Sequence, residues 1–179
     1  MDQTLVARAI DAPSEAETAF EALYRSSRDD VYAYVSGLLR DRGAAEDVTA
    51  QAFERAYRRR ATFKPDRGSR RAWLFGIARN AALDELRRRS RNTELVSEPE
   101  DVAAAGAHEE AAEAALRRTT VTAALATLSA RERELIALKY FAGLGNAEIA
   151  AVIGVSESNA GTKLHRAMEK LRKACDEAE

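Results

Sequence analysis

The sequence predicts an all-α protein: two small helical domains joined by a flexible acidic linker. Three observations lead there. Alanine is frequent (38 of 179 residues), Val and Ile together number only 14, and no run of about four to eight residues alternates as a strand would. Apolar residues recur instead at three- and four-residue steps in several separate segments. Charge falls in blocks: net −3 over residues 1–19, +7 over 20–92, −7 over 93–116 and +2 over 117–179, values that cancel to the overall −1. The expected division is therefore a first domain over 1–92, a linker over 93–116 and a second domain over 117–179.

Phe20, Leu23, Tyr24, Val31, Tyr34, Val35 and Leu38 make one apolar stripe, so a first helix is expected from about Ser14 to Leu39. Arg40 to Gly43 breaks the pattern. A second helix is expected from Ala44 to about Arg60, with Val48, Ala52, Phe53, Ala56 and Tyr57 inward. Glu46 and Asp47 would sit in its first turn, where carboxylates favour the helix N-terminus. Pro65 and Gly68 mark a loop over 61–68. Ser69 can cap a third helix reaching about Arg89, with Trp73, Leu74, Ile77, Ala78, Ala81 and Leu86 inward. Three such helices can share one bundle core.

The acidic block 93–116 has Pro99, Gly106 and little large apolar material to bury, so it is expected to act as a linker. Fully extended, it could span up to roughly 80 Å. Helix is expected to resume near Leu116 and run to Ala126. Ser129 and Glu132 have the spacing of a capping box, which opens a helix carrying Leu135, Ile136, Leu138, Tyr140 and Phe141 on its apolar side. Gly143-Leu144-Gly145 ends that helix. A short helix holding Ile149, Ala150, Val152 and Ile153, a turn at Gly154-Val155, and a last helix capped by Ser156 and running to about Ala174 complete a helix-turn-helix pattern.

Several function classes are unsupported. The sequence has no His-Glu-x-x-His pair, no Walker phosphate loop and no Gly-x-Ser-x-Gly elbow, so no enzyme, cofactor or metal is expected. His108 and His165 lie in segments of opposite charge, and Cys175 is the single cysteine, which excludes a disulfide framework. No run approaches about 18 apolar residues and no signal-peptide order opens the chain, so a cytoplasmic protein without membrane insertion is expected.

Nucleic-acid features are stronger. Residues 55–92 hold 13 basic groups, twelve of them Arg, against Asp66, Asp84 and Glu85. Phe63, Trp73 and Phe75 lie among them. Unpaired nucleic acid needs that combination, charge for the backbone and rings for the bases. The competing reading is a solvated helix face, and for Trp73 alone burial is the better account. On the last helix, Ser156, Glu157, Ser158, Asn159 and Thr162 can reach base edges while Lys163, Arg166, Lys170, Arg172 and Lys173 meet phosphate. An amphipathic helix packing through Leu164 and Leu171 uses the opposite face, so both readings can hold.

These residues resemble the sigma-70 family of bacterial RNA polymerase initiation factors, and within it the extracytoplasmic-function (ECF) group. Ala45-Glu46-Asp47 with Gln51, Phe53 and Arg55-Ala56 is similar to the family segment that docks on the clamp helices of the polymerase largest subunit. Phe63-Lys64-Pro65-Asp66-Arg67-Gly68-Ser69, then Trp73-Leu74, Ile77-Ala78-Arg79-Asn80, Asp84 and Arg87, resembles the segment that recognises and melts the −10 element. Leu128-Ser129, Arg131-Glu132-Arg133, Tyr140-Phe141, Glu148-Ile149-Ala150, Gly154-Val155-Ser156 and Leu164-His165-Arg166-Ala167 resemble the helix-turn-helix that reads −35 duplex.

The resemblance implies core polymerase binding through Glu46, Asp47, Gln51, Phe53 and Arg55, with the polymerase flap as a second contact. It implies −10 single-strand contacts from Phe63, Arg67, Ser69, Arg71, Trp73, Arg79, Asn80, Asp84, Arg87 and Arg88. It implies −35 contacts from Ser156, Glu157, Ser158, Asn159, Thr162, Lys163, Arg166 and Lys170, and an anti-sigma partner. Asn146 stands where the family often has an aromatic and Gly161 where it often has a basic residue. A stand-alone helix-turn-helix regulator would leave residues 44–57 and the basic block without a role, and a helical adaptor that avoids DNA would leave the basic block unused. Asp47→Arg with Phe53→Ala is expected to abolish polymerase association and leave the fold intact.

Overall fold

The computed structural model describes residues 14–93 and 110–177, and each regular element there is helical. The order is α1 (Glu15–Leu39), α2 (Arg42–Arg58), two 3-10 turns (Arg60–Thr62 and Pro65–Arg67), α3 (Arg70–Thr93), α4 (Glu110–Thr127), α5 (Ala130–Tyr140), α6 (Asn146–Ile153) and α7 (Glu157–Asp176). Residues 94–109, most of the expected acidic linker, lie outside the described residues.

Local chemistry sets most of these boundaries. Ser14 opens α1 with a capping box, its Oγ accepting from the Glu17 N–H at 3.2 Å while Glu17 accepts from the Ser14 N–H at 2.9 Å. α1 closes at Arg40, a non-glycine residue at φ 52°, and the Arg40 N–H returns to Ser36 O at 2.9 Å. Asp41 then accepts from the Ala44 N–H at 2.9 Å. That cap starts α2 at Arg42, two residues ahead of the expected start, so Glu46 and Asp47 fall beyond its first turn. α3 runs on to Thr93, and α4 begins at Glu110 rather than near Leu116, because the alanine-rich stretch favours helix wherever it can extend one.

α1, α2 and α3 pack as a three-helix unit. Val31, Tyr34 and Val35 of α1 meet Leu74, Phe75 and Ala78 of α3, all fully buried. The Tyr34 and Phe75 rings stand edge-on at 5.4 Å between centroids, a geometry that adds about 1 kcal/mol to their burial. Truncating Phe75 to alanine would cost about 3–5 kcal/mol. The second unit gathers α5, α6 and α7 around Leu135, Leu138, Leu144, Ile149 and Leu164, with α4 resting on α7. Gly154, at φ 73°, supplies the left-handed residue that lets α6 turn into α7. Ser156 caps α7 by accepting from the Asn159 N–H at 3.3 Å.

Four aromatics expected inward are at the surface: Tyr24 is 39% exposed, Tyr57 41%, Tyr140 63% and Phe141 46%. Tyr57 lies on the rim of α2, held by the Phe20 ring and by donating to Glu17 at 3.3 Å. α5 ends at Tyr140, so the helical period no longer places Phe141.

The two helical units do not stand apart. α5 packs on α1 and α6 packs on α3, and the buried apolar residues of both units form one continuous cluster.

Candidate nucleic-acid interface

Glu46, Asp47 and Gln51 share the solvent face of α2 and are exposed. Phe53 is not on that face; it is 6% exposed, edge-on to Tyr24 at 4.8 Å. It forms part of a groove of about 600 Å³ between α1 and α2 that Tyr24, Tyr32, Arg28 and Glu46 also line. Buried Thr49 Oγ1 on this wall has no hydrogen-bond partner. Arg55 is partly exposed, 3.9 Å from Asp84. The α1 side of the groove was missed in the sequence because Tyr24 reads there as stripe and Tyr32 as an off-stripe residue.

The segment from Phe63 to Arg88 runs through the second 3-10 turn and along most of α3. Phe63 meets Trp73 edge-on at 5.8 Å, and the Arg70 guanidinium lies 4.6 Å from the Phe63 ring centre. Ser69 caps α3 by accepting from the Ala72 N–H at 3.1 Å. Phe63, Ser69, Trp73 and Asn80 border a cavity of about 420 Å³. Trp73 is half-buried, consistent with a ring that packs on one side and lines the cavity on the other. Arg67 lies in the second 3-10 turn. Asn80, Asp84, Arg87 and Arg88 are exposed along α3, with Arg87 donating to Asp84 at 3.0 Å. Arg88 holds Glu85 in a fork of two 2.7 Å bonds, and these bonds, with Arg89 beyond them, pull the Glu85 carboxyl down to about 2.

Three members of this set, Arg71, Arg79 and Ser69, are already bonded to the second helical unit. Arg71 donates to Asp30 at 2.5 Å, to Ser27 Oγ at 3.0 Å, to the Phe141 carbonyl at 3.0 Å, and to the Ala142 carbonyl. Arg79 donates to Glu134 of α5 at 2.6 Å, with side chains 13% and 6% exposed. Tyr34 OH also donates to Glu134, at 3.3 Å, and burial raises the Tyr34 phenol well above its ordinary range. Ser69 Oγ donates to Glu148 of α6, whose other oxygen accepts from the Gly145 N–H at 3.0 Å. Ala151 and Val152 of α6 form the far wall of the cavity. Glu134 is a residue that sequence reasoning missed. The available signal was its place beside Ala137 and Leu138, on the apolar side of α5.

On α7, Ser156, Glu157, Ser158, Asn159, Thr162 and Arg166 are exposed, and Lys163 is half-buried. Lys170 is exposed and donates to Glu132 at 2.5 Å. That bond and the Ser129 N–H bring the Glu132 carboxyl to about 2. Gly161 and Asn146, the two departures from the family pattern, touch: a Cβ on Gly161 would lie 3.3 Å from Asn146 Nδ2.

Among the described residues no group of three or more His, Cys, Asp or Glu is placed to hold a metal ion. Among them, too, no helix is long and apolar enough to cross a membrane.

Comparison with known proteins bears on these surfaces. The model of sigma-70 region 2 matches residues 23–92, and that of sigma-70 region 4 matches residues 118–171. The ECF RNA polymerase sigma factor SigL of Mycobacterium tuberculosis is 32% identical over 171 residues, covering 93% of this chain and 94% of SigL. The RNA polymerase sigma factor CarQ of Myxococcus xanthus is 34% identical over 166 residues, covering 92% of this chain and 93% of CarQ. Among solved structures, the sigma factor RpoE of Bartonella quintana, in complex with the anti-sigma factor NepR, has a TM-score of 0.73 at 22% identity over 89% of this chain and 98% of RpoE, a likeness of fold. CnrH, in complex with the cytosolic domain of CnrY, has a TM-score of 0.63 at 26% identity over 93% of this chain and 94% of CnrH.

Proposed function

Because the chain belongs to the extracytoplasmic-function group of the sigma-70 family, we propose that it joins core RNA polymerase through the outer face of α2 and reads a promoter through α3 and α7. Glu46, Asp47 and Gln51 meet the clamp helices, with Phe53 supporting them from beneath. The polymerase supplies the chemistry of RNA synthesis and this chain supplies recognition.

At the −10 element, bases leave the stack and enter the space bordered by Phe63, Trp73 and Asn80. Unstacking costs a few kcal/mol per base, which ring stacking at about 1–3 kcal/mol per base and arginine contacts to phosphate offset. Asn80 has the donor and acceptor needed to choose among base edges. At the −35 element, α7 lies in the major groove, with Ser156, Ser158, Asn159 and Thr162 toward bases and Lys163 and Arg166 toward phosphate. Glu157 suits a cytosine amine. An anti-sigma factor completes the set of expected partners.

The observation that carries this reading is the convergence of Ser69, Trp73 and Asn80 on one cavity in the most basic part of the chain. Transcription with reconstituted core polymerase tests it: the pair should initiate at a cognate promoter while the chain alone binds duplex weakly. Tight sequence-specific duplex binding without polymerase would make the chain a stand-alone regulator instead.

A further inference from the structure

Trp73, Gly76, Ile77 and Asn80 follow one another at the three- and four-residue steps of a single helix face, and all four border the 420 Å³ cavity. Trp73 and Gly76 are half-buried and Asn80 is exposed, while Ile77 turns its side chain into the core. Gly76 therefore leaves a bare stretch of backbone between a ring and an amide. Nothing in the fold asks for glycine there. Gly76 lies inside α3, its φ is not in the left-handed region, and a Cβ built on it would meet no atom within 4 Å. Alanine would fit the free chain and favour the helix more, since glycine is the poorest helix former after proline. Gly161 differs, because a Cβ there would meet Asn146 at 3.3 Å. The space that a methyl group at Gly76 would fill is open, and it belongs to the cavity.

We infer that Gly76 is a specificity-determining residue of the −10 site: it keeps α3 bare so that the flat face of one unpaired base lies against the helix backbone, with the Trp73 ring on one side and the Asn80 amide on the other. This rests on the assignment of α3 proposed above. A base is a flat plate, and it gains attraction only where its surface meets another without a gap. A methyl group would stand about 1.5 Å proud of the backbone, and a gap of about 0.5–1 Å already forfeits a quarter to a half of the attraction. The arginine contacts to phosphate lie outside this surface. A side chain at position 76 would thus weaken the grip on the base and leave the grip on the strand's charge unchanged.

The experiment compares the full chain and its Gly76→Ala variant, each assembled with core polymerase. The probe is a single-stranded −10 oligonucleotide from a promoter that the parent complex melts, together with versions carrying one abasic site at successive positions. Gly76→Ala should raise the melting temperature of the free chain by up to roughly 2–4 °C and leave co-purification with core polymerase unchanged. It should bind the intact oligonucleotide about tenfold more weakly, the scale of one lost stacking contact. That penalty should shrink to within about twofold at one abasic position, the one whose base lies on α3, and the salt dependence of binding should not change. Equal affinity of the two chains for the intact oligonucleotide, a penalty undiminished at every abasic position, or a fall in melting temperature would overturn the inference. If the parent complex does not prefer the −10 strand to a scrambled strand of the same length, the proposed function is what has failed, and this inference falls with it.

Discussion

Replacing Glu134 by glutamine removes one charge from a nearly dry site and keeps its shape. Arg79 Nε lies 2.6 Å from Glu134 Oε1, and the side chains are 13% and 6% exposed. Two unit charges about 4 Å apart at an effective dielectric near 20 attract by roughly 4 kcal/mol. The glutamine oxygen still accepts a hydrogen bond, and some water returns to Arg79, so the closed arrangement should lose about 2–3 kcal/mol. That multiplies the opening constant by about 30- to 150-fold. A double-mutant cycle of Glu134→Gln and Arg79→Gln, followed by urea unfolding, reads the coupling directly. The coupling should persist as salt is raised, whereas exposed pairs such as Arg25–Glu21 weaken. A coupling below about 0.5 kcal/mol, the range of a surface pair, would mean that the two units do not meet this way in solution.

Other perturbations separate the roles of single residues. Glu85 and Glu132 titrate near 2 in the folded chain against an ordinary 4.5, so their stabilisation is complete above about pH 4.5 and is lost as pH falls toward 2. Glu132→Gln should flatten part of that acid limb in a pH series of thermal melts, and a limb unchanged in shape would refute the assignment. Gly161→Ala gains up to about 1 kcal/mol of helix propensity, and the contact it creates is with the end of the Asn146 side chain, which can swing aside. The melting temperature should rise by roughly 2–4 °C, and a fall would show that Asn146 is pinned. Asp47→Arg should abolish co-purification with core polymerase at unchanged stability, whereas Phe53→Ala should cost about 3–5 kcal/mol by emptying a buried site. Equal stability of those two variants would contradict the burial of Phe53.

Short-range chemistry was legible in the sequence. The Ser129–Glu132 box and the Ser156 cap follow from spacing alone, because their partners lie within one turn. The −10 cavity was half legible: Phe63, Trp73 and Asn80 stood out by type and spacing, while Ala151 and Val152 come from a distant helix. The docking of the units could not be read that way, since the Tyr34–Glu134 bond spans 100 residues and nothing local marks Glu134 as paired. Arg71 and Arg79 looked like phosphate ligands for the same reason that they can hold Glu134 and the Phe141 carbonyl: a guanidinium fork takes any well-placed oxygen. Phe141 was misplaced because helical period carries no information past Tyr140, where the helix stops.

Permanganate reactivity of −10 thymines tests most directly whether this chain opens promoters from the α3 face. Core polymerase plus the chain should render those thymines reactive on cognate DNA, and Asn80→Ala should suppress the signal while polymerase association stays intact. Reactive thymines in the absence of polymerase, or a signal indifferent to Asn80, would contradict the account.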